Sequence, residues 1–95
     1  MSLTMQLLVI PDDVIFKVLE NEAVLLNLKT GTYFGLNETG TRIWKLIEEH
    51  GHLEIVRRHM LDEFDVSEET LEGDMQALLS ELLERGLLVL EPCER

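Results

Sequence analysis

The side chains whose types could support catalysis or metal binding are few: His50, His52 and His59, the single thiol Cys93, and the mid-chain serines Ser67 and Ser80. His50 and His52 are two apart and flank Gly51, so a helix would point them to different faces. His52 and His59, seven apart, share a side if a helix begins by His52, but no cysteine or carboxylate completes a set at ligand spacing. Cys93 stands three residues from the end, after Pro92, with no base beside it, and a lone cysteine forms no internal disulfide. Ser67 is better used as a helix cap, and Ser80 as a helix-surface residue. The acidic residues are spread along helical faces rather than paired in an apolar setting that would raise one pKa. Gly31, Gly35 and Gly40 match no phosphate-binding fingerprint. The residues therefore point away from catalysis and call for no cofactor and no metal.

Charge narrows the partners. Nineteen acidic against 8 basic side chains give a net charge of −11, which repels the phosphate backbone and anionic membrane surfaces alike and suits a partner with basic groups. The N-terminal segment MSLTMQLLVI lacks the basic start and cleavage site of a signal peptide, and no apolar run is long enough to span a bilayer. Together with the lone cysteine, this reads as a cytoplasmic protein, with no nucleic acid and no membrane among its partners.

The elements that position these residues follow from periodicity. Val14–Leu19, Ala23–Leu28 and Thr32–Leu36 have strand composition and are separated by the short turns Glu20-Asn21-Glu22 and Lys29-Thr30-Gly31, which predicts an antiparallel meander with its third strand at an edge. From Asn37 the period changes. Asn37 caps a helix carrying Ile43, Trp44, Leu46 and Ile47 on one side, ending at His50-Gly51. Leu53, Val56, Met60 and Phe64 form the stripe of a second helix. Ser67 caps a third, with Glu68 and Glu69 in its first turn and Leu71, Met75, Leu78, Leu79, Leu82 and Leu83 following, up to Arg85-Gly86. Leu87–Leu90 is β-compatible and is expected to return to the sheet. The expected fold is one α+β, winged-helix-like domain over residues 1–95, with its core at about 12–90 and loose termini: a three-stranded antiparallel sheet, three helices and a short C-terminal strand.

Gly40, inside the first helical turn, costs on the order of 1 kcal/mol relative to alanine. Either another backbone approaches there or the glycine packs against the sheet.

The segment TGTYFGLNETGTRIW, the segment FDVSEETLEGDMQALLSELLERGLL and the spacing between them resemble the PqqD-like proteins, named for pyrroloquinoline quinone biosynthesis, whose fold recurs as the precursor-peptide recognition element of ribosomal-peptide pathways. Similarity runs from about Val14 to Leu88. Founding quinone-pathway members are more alanine-rich where this chain has Leu36–Thr41; the chain looks more like the free-standing elements near lasso-peptide clusters.

The resemblance implies that a leader peptide adds as a strand to the third strand and packs on the third helix. A separate modifying enzyme, such as a radical SAM enzyme or a leader peptidase, then acts on it. Carried onto this chain, the binding residues would be Thr32, Tyr33, Phe34, Gly35 and Leu36 on the edge, and Leu71, Asp74, Met75 and Leu78 on the helix. Physics permits this, since an open edge offers main-chain hydrogen bonds and a neighbouring helix offers side-chain pockets. Phe34 is expected to supply an edge amide, so that a proline there would block strand addition. Two alternatives stay open: a winged-helix DNA-binding regulator, against which the acidic third helix speaks, and a small enzyme using the histidines.

Overall fold

A computed structural model describes residues 6–20 and 22–92. Cys93 and the turn residue Asn21 lie outside the described residues. In chain order the elements are β1 (Gln6–Val9), β2 (Val14–Leu19), β3 (Glu22–Asn27), β4 (Tyr33–Leu36), α1 (Glu38–His50), α2 (Leu53–Glu63), α3 (Glu68–Glu84) and β5 (Val89–Pro92).

The meander forms as expected, in the order β2-β3-β4 and antiparallel throughout. Its register fixes which side chains enter the core. Ala23 and Leu25 of β3 and Leu36 of β4 are buried, with Phe16 and Phe34 packed beside them. Asn27 interrupts this inward series with a polar group, and it is only 6% exposed. Its side-chain oxygen accepts from the amides of Lys29 (2.8 Å) and Thr30 (3.2 Å), shaping the β3–β4 turn, while its amide nitrogen donates to the Gly86 carbonyl (2.9 Å). One buried side chain thus moulds the turn and ties it to the end of α3, and the burial is tolerated because its polar atoms are bonded.

Both expected caps are present. Asn37 accepts from the Gly40 amide (2.8 Å) and Ser67 from the Thr70 amide (3.1 Å), satisfying first-turn donors that have no partner inside the helix. Gly51 ends α1 in the left-handed region, at φ 78°. Trp44, Ile43, Leu46 and Ile47 of α1 pack with Val56 and Met60 of α2 and with Leu71, Met75 and Leu82 of α3 in one core. Arg42 joins α1 to α2 through a two-point pair with Glu63 (2.7 and 2.6 Å), and Arg57 joins α2 to Glu68 of α3 at 2.9 Å.

The C-terminal strand departs from the sequence reading. Instead of returning to the meander, β5 pairs with β1 in a separate two-stranded sheet, Gln6 opposite Pro92 and Val9 opposite Val89. The N-terminal residues 6–9, expected to be loose, are therefore a strand, and Leu8 is a core residue at 4% exposure. Leu87 and Leu88, read as part of the strand, are core residues that precede it. Among the described residues the meander keeps free sides on β2 and β4, but burying Leu87 and Leu88 in the core leads the chain away from α3 to β1, whose ladder the tail then joins.

Candidate functional site

β4 pairs with β3 on one side and with no other strand among the described residues, so its second side is an open edge. The direction of each edge amide follows from the ladder. Asn27 donates its amide to the Thr32 carbonyl (2.8 Å), and Leu28 donates to Asp13 on the other side (2.8 Å). Hydrogen-bonding direction alternates along an antiparallel strand, so Ala23 and Leu25 face β4 with their main-chain groups, like Asn27. Their partners Leu36 and Phe34 therefore point N–H and C=O into the sheet, and Tyr33 and Gly35 point theirs outward. This corrects the expectation for Phe34: its amide belongs to the ladder, and the free edge amides are those of Tyr33 and Gly35.

Beside this edge lies a cavity of about 360 Å³. Its sheet side is Phe34, Gly35 and Leu36; its floor is the start of α1 with Asn37, Thr39, Gly40 and Ile43; its far wall is Asp74, Ala77 and Leu78 of α3. The strand-to-helix link at Asn37 places the edge and the helix start together, and the Gly86–Asn27 bond holds α3 against the turn that begins β4. Gly40 resolves its two readings here. A β-carbon at Gly40 would stand 3.2 Å from Leu36 Cδ2 and 3.3 Å from Asn37 Oδ1, so the glycine accommodates the last side chain of β4 and its own cap.

The sequence-derived site residues fall into four groups. Phe34, Gly35, Leu36, Asp74 and Leu78 are brought together around the cavity. Tyr33 lies on the edge, but its side chain, 69% exposed, is on the outer face of the sheet in a row with Leu26 and Ile15. Thr32 precedes the strand, its amide accepted by Thr30 Oγ1 at 3.2 Å. Leu71 and Met75, each 3% exposed, turn into the core and support the cavity wall from behind.

Sequence reasoning missed Asn37, Thr39, Gly40, Ile43 and Ala77 as lining residues. The one available signal was Gly40, whose cost inside a helix asks for a reason. Arg85 was also missed. Its Nε donates to Glu81 (2.9 Å) and its guanidinium lies over the ring of the lining residue Phe34, 5.3 Å from the centroid.

The histidines do not build a site here. His59 stacks on His50 at 4.7 Å between ring centroids, and His52 stands at the start of α2 with Nδ1 3.2 Å from the His50 carbonyl. Nitrogens on near-parallel stacked rings direct their lone pairs side by side rather than at a shared point, and among the described residues no three or more His, Cys, Asp or Glu side chains gather as a metal would require. The resolved electrostatic shifts also lie away from the groove. Hydrogen bonding to Arg42 holds the Glu63 carboxyl below its ordinary range, and Glu68 raises Arg57. No helix among the described residues is long and apolar enough to cross a membrane.

Comparison with solved structures finds similarity to TbiB1 in complex with the TbiA(beta) leader peptide: 40% identity, 83% of this chain and 92% of that chain covered, TM-score 0.76. A lasso peptide synthetase B1 complexed with the leader peptide is similar in fold, at 23% identity, with 86% and 96% covered and a TM-score of 0.75. A comparison with curated proteins finds no match. The family model described as coenzyme PQQ synthesis protein D matches residues 22–88, which takes in β3, β4, all three helices and every residue lining the groove. The chain belongs to the PqqD family.

Proposed function

We propose that this protein is a non-catalytic carrier of a ribosomal precursor peptide: the leader segment adds as a strand to β4, rests on α3, and is presented to a separate modifying enzyme or protease. The observation that carries the reading is an open edge whose Tyr33 and Gly35 amides point outward beside a groove walled by α3. Such an edge supplies sequence-independent affinity, and the adjacent cavity supplies side-chain selection. Holding the peptide raises its local concentration at the enzyme, which requires no reacting group on this chain.

The likeness to a leader-peptide complex at 40% identity supports the reading. The DNA-binding alternative would ask α3 to approach phosphates with Glu68, Glu69, Glu72, Asp74, Glu81 and Glu84 exposed, and nothing in the groove favours it.

The test is titration with the TbiA(beta) leader peptide, followed by amide hydrogen exchange. Saturable binding with a Kd between roughly micromolar and nanomolar is expected, with new protection on β4. Absence of binding, or protection confined to another surface, overturns the reading.

A further inference from the structure

Asp74 lines the groove, and Arg85 lies over the ring of Phe34, which also lines it. Asp74, in the N-terminal half of α3, lines the cavity together with Asn37, Thr39 and Gly40, and its carboxylate makes no hydrogen bond or ion pair among the described residues. Arg85, at the C-terminal end of α3, is tethered to Glu81 through Nε alone, and its two terminal nitrogens make no hydrogen bond among the described residues. The Phe34 ring beneath the guanidinium steadies it without consuming those donors.

Resting on the reading that β4 captures a peptide strand, we propose that Asp74 and Arg85 form a charge ruler that sets the direction and register of the bound peptide. Positions 74 and 85 are eleven residues apart, about 16 Å along a helix. The C-terminal end of α3 sits at the start of β4, through Arg85 over Phe34 and the Asn27–Gly86 bond, and Asp74 lies further back along α3 on the same cavity, so β4 leads away from Arg85 and is opposite in direction to α3. An added antiparallel strand runs parallel to α3, its N-terminal side at Asp74.

Extended residues advance about 3.4 Å each, and only even separations put two side chains on one face. A separation of four, about 14 Å, is the closest match, with the long Arg85 side chain leaning over Phe34 to cover the remainder. The ligand class follows. It is an extended segment with a basic residue, an apolar residue two positions on, facing Ala77 and Leu78, and an acidic residue two positions further.

Synthetic β-prone peptides of about ten residues test this. One carries Lys and Glu four apart in that order, a second exchanges the two, and a third spaces them five apart. Fluorescence anisotropy at low salt should show the first binding about tenfold more tightly than the second, with the difference shrinking at high salt. The paired variant Asp74→Lys with Arg85→Glu should invert that preference; both positions are exposed, so circular dichroism should be unchanged. Equal binding of the first two peptides, with Tyr33 and Gly35 amides still protected, overturns the charge ruler while leaving strand capture intact. No protection at those amides with any peptide, the TbiA(beta) leader included, overturns strand capture and the ruler together.

Discussion

Replacing Gly35 with proline should separate peptide capture from folding. The Gly35 amide faces away from β3, so proline there deletes no ladder bond, and an edge strand tolerates proline where its N–H faces outward. Gly35 is not among the glycines with positive φ, so its backbone does not occupy the left-handed region closed to proline.

A peptide strand would exchange main-chain bonds with Tyr33 and Gly35. Losing one such bond, with the peptide carbonyl left unpaired in a sheltered groove, costs about 1–3 kcal/mol. That corresponds to roughly a 5- to 150-fold increase in Kd. Titration calorimetry with the TbiA(beta) leader peptide measures it. Gly35→Ala is the control, because it retains the amide and its β-carbon would meet nothing within 4 Å.

Phe34→Pro should behave differently. It breaks the ladder bond to Leu25, a fully buried position, and should lower the unfolding midpoint as well as the affinity. Unchanged affinity in Gly35→Pro, or peptide-induced exchange protection at Phe34 instead of Gly35, would refute the assignment of outward amides.

Leu82, fully buried, should cost about 2–5 kcal/mol when cut to alanine, read by chemical denaturation, with peptide affinity of the folded fraction retained. Asn27→Ala removes two hydrogen bonds within the β3–β4 turn and one that ties it to the end of α3, and should cost about 1–3 kcal/mol, accompanied by faster exchange at Lys29 and Thr30. Arg42→Gln tests the acid limb of stability. Glu63 is held below its ordinary pKa in the folded state, so its contribution is present above the unfolded value and disappears as pH falls through the folded one. The variant should therefore be less stable than the parent at neutral pH and converge with it below the usual carboxylate range, as followed by thermal denaturation across pH.

Much of the fold was legible because its signals are local. Asn37 and Ser67 announce their helices by residue type and offset, and the change from strand composition at Tyr33–Leu36 to helical spacing at Ile43 marks the link that builds the groove floor. β1 was not legible. Its four residues become a strand by pairing with a segment more than eighty positions away, and no turn between them advertises the match.

The helix wall was half legible for a different reason. Leu71, Met75, Leu78 and Leu82 share one periodicity, yet only the placement of the sheet decides that Leu78 borders the groove while the other three enter the core. The direction of the β4 amides has no counterpart in residue type at all. It is set by the parity of the β3–β4 turn, which Asn27 moulds.

The pairing of Gln6 with Pro92 brings both ends of the described chain side by side. A unit whose entry and exit are neighbours can be spliced into an exposed loop of a larger polypeptide without stretching either flank, at little entropic cost for the junction. The clasp thus makes the domain portable. Grafted as a cassette into an unrelated host, it would retain its own fold, and the host would gain a docking edge.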